Sequence, residues 1–230
     1  MYAPIALFAY NRPLHLQKCI NALKLCPESN DTDLYIFCDG PKINTHPDDL
    51  IKIAETRHVA NSVTGFRSVQ LHLNHDNLGL SKSLVKGISL VLSNSNEVIV
   101  IEDDILVGLD FLKFMNLALN KYQNELLVAG ISGYSFPIGQ KKTYFSRTGS
   151  CWAWATYKRV WMPFVASEEG IDISQIPKNE LEIYNVYKDY YQKMFSQNKQ
   201  GLINSWAINF YTFYYINKQF FLFSGANLAD

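Results

Sequence analysis

Val98-Ile99-Val100-Ile101-Glu102-Asp103-Asp104 joins an unbroken apolar run to three consecutive acids. Four β-branched residues in a row predict a strand buried on both faces, as in the interior of a parallel sheet. In open parallel sheets ligands bind outside the carboxyl ends of the strands, and the acids fall at such an end. Three adjacent carboxylates repel one another, and a bound divalent cation relieves that repulsion. Carboxylate oxygens suit Mn2+ or Mg2+, which also carry substrate phosphates. The competing reading is a solvated acidic turn that caps the next helix near Asp110, since acids favour helix N-termini.

Outward from this stretch the chain alternates. Residues 5–10 predict a strand, followed by the turn Asn11-Arg12-Pro13 and a helix carrying Leu14, Cys19, Ile20 and Leu23 at helical spacing. Residues 34–38 predict a second strand, closed by Asp39-Gly40-Pro41. A helix over 48–60, a strand over 69–73 and a helix over 79–92 lead into the apolar strand 98–101. A helix with Phe111, Leu112, Met115 and Ala118 and a strand over 127–131 follow it. Successive strand-then-helix units predict an α/β fold with a mostly parallel, doubly wound sheet flanked by helices.

The second half loses this rhythm. Residues 133–150 are rich in Gly, Ser, Lys and Tyr and predict a long surface loop. Aromatic residues crowd positions 184–223, with helices predicted over 178–198 and 204–217 and a last strand over 220–223. Packing of helices against the sheet explains such a cluster, and so does a platform on which sugars or bases stack. The division expected is a nucleotide-sugar-binding α/β half, 1–132, and an acceptor-side part, 133–230, of one domain.

Composition narrows the function classes. The 230 residues are 48% hydrophobic and 14% aromatic, enough for a large core. Lys plus Arg equals Asp plus Glu at 21 each, and a neutral chain argues against partners held by a phosphate backbone or an anionic membrane. No apolar run approaches the roughly 20 residues of a membrane span, and Met1-Tyr2-Ala3-Pro4 has no basic leader. The expectation is a cytoplasmic protein without a transmembrane segment, acting at the inner face of the membrane if its acceptor is lipid-linked. Cys19, Cys26, Cys38 and Cys151 contain no CxxC pair and predict buried thiols rather than a zinc site or disulfides.

Other strand ends supply candidates for a nucleotide site. Arg12, after Tyr10 and Asn11, suits a phosphate, and Asp39 suits the imide N–H of a base. Asn77, Gly79, Lys82 and Ser83 open a helix whose N-terminus suits a diphosphate. Read singly, Asn11 is equally a helix cap, Asp39 the closer of its turn and Asn77-Leu78-Gly79 a helix start. Neither G-x-G-x-x-G nor G-x-x-x-x-G-K-[ST] occurs, which excludes a Rossmann dinucleotide site and a P-loop.

These segments, with Cys151-Trp152-Ala153-Trp154 and Asn204-Ser205-Trp206-Ala207, resemble a GT-A (Rossmann-like) glycosyltransferase. The chain is similar to bacterial family-two-like sugar transferases and, more distantly, to the N-acetylglucosaminyltransferase I group, which shares an Glu-Asp-Asp form of the DxD motif. The resemblance implies a UDP-sugar donor contacted by Arg12, a uracil read by Asp39, and ribose and sugar faced by Glu102 and Asp103. It implies Asp104 as the ligand of Mn2+ or Mg2+, and Trp152 and Trp154 as a wall of the donor-sugar and acceptor pocket beside Trp206. The implied reaction is an inverting displacement by a hydroxyl of a glycan or lipid-linked glycan acceptor, in bacterial surface glycan synthesis.

One departure concerns the base. The N-acetylglucosaminyltransferase I group carries an acid immediately after a tryptophan, and here Ala207 follows Trp206. Glu168, Glu169 and Asp172 are the nearest candidates in sequence, and a solvated loop is the plainer explanation of each. Some relatives extend further than the last strand here, so a C-terminal lid or acceptor element is expected to be absent. Ala207 also favours a nucleotide- or glycan-binding protein without turnover. A sugar nucleotidyltransferase is the third class, although its glycine-rich loop is missing after the first strand.

Overall fold

The apolar runs form the inner strands of a single mixed sheet. The computed structural model describes residues 2–136 and 142–230. Its first half runs β1 (Ile5–Ala9), α1 (Pro13–Leu25), β2 (Asp33–Cys38), α2 (Pro47–Asn61), β3 (Ser68–Leu73), α3 (Leu80–Asn94), β4 (Glu97–Glu102) and α4 (Phe111–Tyr122). Its second half runs β5 (Val128–Ser132), β6 (Tyr144–Ser146), β7 (Trp154–Tyr157), α5 (Lys158–Ser167), α6 (Leu181–Asn185), α7 (Tyr190–Lys199), α8 (Trp206–Ile216) and β8 (Phe220–Phe223). The strand order is β3-β2-β1-β4-β7-β5-β8-β6, with helices on the sheet and an aromatic-rich helical part towards the C-terminus.

Register decides where the site lies. β1 pairs in parallel with both β2 and β4, so Phe8 stands opposite Phe37 on one side and Glu102 on the other. The turns after these three strands, carrying Arg12, Asp39 and Asp104, therefore emerge at one edge of the sheet. β7 enters antiparallel between β4 and β5, with Trp154 opposite Val100 and Ser132. Because β7 runs the other way, it begins where β4 ends, and residues 151–153 arrive beside the acids.

The aromatic cluster is largely core. Trp154 is 1% exposed and stacks on Trp206 at 5.2 Å between ring centroids, with Trp161 and Phe210 within 6.0 Å. Such rings supply large apolar area in close, offset or edge-on contact.

Two expectations for the second half need correction, and one strand goes unmarked in the sequence. Trp154–Tyr157, which no alternation marks, is a strand buried at every position. Within the expected loop 133–150, Tyr144–Ser146 pairs antiparallel with β8; residues 137–141 of that loop lie outside the described residues. The expected helix 178–198 is a 3-10 turn, Lys178–Glu180, then α6 and α7. Val186 and Lys188 interrupt it at φ 60° and 50°, a left-handed backbone that a helix cannot include.

Candidate functional site

The carboxyl ends of β1, β2 and β4 and the start of α3 enclose a cleft of about 250 Å³. Tyr10, Asn11, Arg12, Asp39, Asn77, Gly79, Ser83, Glu102 and Asp103 all line it, so nine of the sequence-derived candidates meet in one place.

Asp39 organises one wall. It is 6% exposed; its Oδ1 accepts from the Gly40 N–H (3.0 Å), the Leu78 N–H (2.9 Å) and Asn74 Nδ2 (3.2 Å). Among the described residues its Oδ2 accepts only from the Gly79 N–H at 2.9 Å, which leaves that oxygen capacity for one more donor. Asn77 Nδ2 donates to the Gly40 carbonyl at 2.9 Å, stitching the two loops together. Gly79, at φ 76°, turns the chain into α3 through backbone that favours glycine.

Gly40 answers a different need. A Cβ there would lie 2.5 Å from the backbone of His75 and Asp76. Gly40→Ala is therefore expected to cost about 1–3 kcal/mol of stability in denaturant unfolding, and to move the 75–79 loop off Asp39.

The acids form the other wall. Arg12 Nη1 donates to Asp104 Oδ2 at 2.6 Å and lies 3.6 Å from Asp103 Oδ1. Burial, then the charges of Asp104 and Asp103, push the Glu102 carboxyl up to about 7, against the pull of Arg12. Burial pushes Asp103 up to about 6, while Arg12 and an N–H donated by Tyr10 oppose it. Asp104, with 44% of its side chain exposed, is the open member.

Glu102 consequently works against the fold at neutral pH. A carboxyl raised in the folded state contributes stability below its unfolded value near 4.3, which is lost as pH rises through about 7. In chelator at pH 8, Glu102→Gln is expected to be more stable than the parent by on the order of 2 kcal/mol, with the gap closing towards pH 4. Thermal melts across that range check it.

Among the described residues no group of three or more His, Cys, Asp or Glu side chains is gathered to hold a metal by protein alone. One or two carboxylates completed by substrate phosphates and water is, however, how Mg2+ is commonly bound. Hard oxygen donors at Asp104 and its neighbours fit that pattern.

On the outer side of the acids, Glu102, Asp104, Ile105, Trp152 and Asp230 surround a second hollow of about 280 Å³. Trp152, 50% exposed, arrives there by the reversed entry of β7. Asp230 is placed by a two-way backbone pairing with Leu106 at 2.7 and 2.9 Å.

The other candidates divide between the cleft and the rest of the molecule. Lys82 is exposed and does not line the cleft; Ser83, one helical step on, does, 7% exposed and with an Oγ that has no partner among the described residues. Lys42, not among the candidates, lines the cleft instead. Asn11 does not cap α1 and donates to Asp49 at 3.3 Å. Trp154 and Trp206 face a separate apolar cavity. Glu168 accepts from Asn209 at 3.0 Å and, with Glu169, offers its carbonyl to Lys199. Asp172 caps a short turn through the Ser174 N–H at 2.9 Å. None of these three acids lines the cleft or the hollow, so closeness in sequence to Trp161 did not become closeness to the triplet.

Asp230 and Lys42 carried no local signal, because only the closed fold brings them to the acids and to the cleft.

No protein-family model and no curated protein matches the sequence. Among solved structures, the chain is similar to S. aureus TarS at 13% identity and a TM-score of 0.46, over 71% of this chain and 30% of that one. It is similar to S. aureus TarS 1-349 at 13% identity and a TM-score of 0.47, over 71% and 49%. It is also similar to TarS 1-349 in complex with UDP-GlcNAc at 10% identity and a TM-score of 0.45, over 70% and 47%. The chain thus spans between 30% and 49% of the length of these structures.

Proposed function

We propose that the chain is a metal-dependent glycosyltransferase that moves the sugar of a UDP-sugar onto a hydroxyl acceptor with inversion. The observation that carries this reading is one cleft, at the carboxyl ends of β1, β2 and β4, where a buried Asp39 with an open acceptor site meets Arg12, Glu102 and Asp103, and where Arg12 holds Asp104 at the border with the second hollow. Asp39 Oδ2 accepts the imide N–H of uracil, and the Ser83 hydroxyl, without a partner among the described residues, takes a polar atom of the nucleoside. Arg12 and Lys42 bring positive charge to the diphosphate. Asp104 would hold a divalent cation, which when bound would supply Lewis-acid stabilisation to the leaving diphosphate.

Trp152 offers an apolar ring face to the sugars. Asp230, the acid beside Asp104 that is not part of the triplet, takes the proton of the acceptor hydroxyl. The acceptor oxygen forms its bond to the anomeric carbon as the bond to the diphosphate breaks. The setting is bacterial surface glycan synthesis, with a glycan or lipid-linked glycan as acceptor.

Ala207 favours a second reading, a nucleotide- or glycan-binding protein without turnover, because its methyl cannot take a proton and it faces the apolar cavity. Nucleotide release from UDP-sugars separates the two. Asp230→Asn is expected to lower turnover by about 10²–10⁴-fold while UDP binding stays within about twofold. Absence of turnover in the parent, with intact UDP binding, establishes the second reading instead.

A further inference from the structure

The cavity that holds Trp154 and Trp206 lies between α7, α8 and residues 149–151, and encloses about 200 Å³. Its walls are mostly ring faces, with Met194, Ala207, Ile208 and Cys151 between them and Gly149-Ser150 at one side. The polar groups of two lining tyrosines are engaged elsewhere: the Tyr214 hydroxyl accepts the Gly149 N–H at 2.7 Å, and the Tyr211 hydroxyl donates to the Tyr184 carbonyl at 2.6 Å. Because apolar surface predominates in the lining, a sugar ring buried here would find few partners for its hydroxyls, at a cost that disfavours it.

The cavity adjoins the acids through the chain itself. Cys151 lines it, and the next residue, Trp152, lines the hollow with Glu102, Asp104 and Asp230. We infer that this cavity is an acceptor subsite for a small apolar group, a phenyl ring or a five-carbon prenyl unit, carried next to the hydroxyl that reacts. The inference rests on the glycosyltransferase reading for the word acceptor; the binding of the apolar group stands apart from it. Size supports the occupant, since an apolar cavity of about 150 Å³ accommodates benzene. Burying such a group is worth roughly 10- to 100-fold in affinity.

The test is an NMR titration of the Trp206 indole N–H and Met194 methyl with benzyl alcohol, with 3-methylbut-2-en-1-ol and with glycerol. Saturable shifts at millimolar benzyl alcohol or prenyl alcohol, and none with glycerol, are expected; which alcohol binds more tightly separates an aryl from a prenyl group. Ala207→Phe, which fills the cavity, should weaken the alcohols at least tenfold and leave the UDP and Mn2+ melting shift as in the parent. Met194→Phe fills it from α7 and serves if Ala207→Phe does not fold. Equal binding of the alcohols to parent and filled variant, or glycerol shifting the same resonances, overturns the subsite. Loss of the UDP response in the parent overturns the glycosyltransferase reading and leaves the alcohol result to decide the cavity alone. With a UDP-sugar that is turned over, benzyl or prenyl glycosides should exceed methyl glycosides about 10- to 100-fold in kcat/KM, and Ala207→Phe should erase that ratio. A ratio of one in the parent overturns the acceptor assignment.

Discussion

Asp104→Ala is expected to lower donor turnover by roughly a thousandfold, because a cation at a leaving diphosphate supplies several kcal/mol of charge stabilisation. The same change should barely touch the fold. Asp104 is 44% exposed, and its ion pair with Arg12, itself 51% exposed, is of the kind worth about 0–1 kcal/mol. Loss of Mn2+-dependent UDP binding with an unchanged melting temperature in chelator is therefore the expected pattern. Full turnover in Asp104→Ala would remove Asp104 from the chemistry. Nucleotide release assays beside thermal melts read both quantities.

The largest stability effect belongs to Trp154→Ala. Trp154 is 1% exposed, lies in the strand that joins β4 to β5, and packs its ring on Trp206 and Phe210. Removing a buried indole leaves a cavity bounded by a sheet and helices that cannot both close on it. A loss of about 3–5 kcal/mol is expected, seen as a lower denaturant midpoint at unchanged slope. Trp154→Phe should lose less. A Trp154→Ala protein within about 1 kcal/mol of the parent would contradict the placement of this ring in the core.

The first half of the fold and the heart of the site were legible because each rests on local signals. Apolar runs such as Val98-Ile99-Val100-Ile101 have only one comfortable home, and the acids that follow are at a strand end whatever the sheet order. The strand Trp154–Tyr157 was not legible, since four buried residues show neither alternation nor length. The break at Val186 was hidden as well, because a β-branched residue in left-handed backbone runs against its own preference. Lys82 and Ser83 differ by one helical step of about 100°, enough to send one to solvent and the other to the cleft. Lys42 and Asp230 reach the site only through contacts between segments far apart in the sequence. Glu168, Glu169 and Asp172 looked eligible because sequence shows that an acid is present, and not which way its loop faces.

Thermal unfolding with UDP, CDP, GDP and ADP, each with Mn2+, with Mg2+ and with chelator, reads out whether the cleft binds a nucleotide through a metal. A nucleotide at 100 times its dissociation constant adds about 2.7 kcal/mol, which raises the midpoint of a chain this size by roughly 5–10 °C. That rise is expected for UDP with Mn2+ or Mg2+, with its loss in chelator and in Asp104→Ala, and smaller shifts for the other three. No shift with any nucleoside diphosphate under any metal would contradict it, and would leave Glu102-Asp103-Asp104 as an acidic turn.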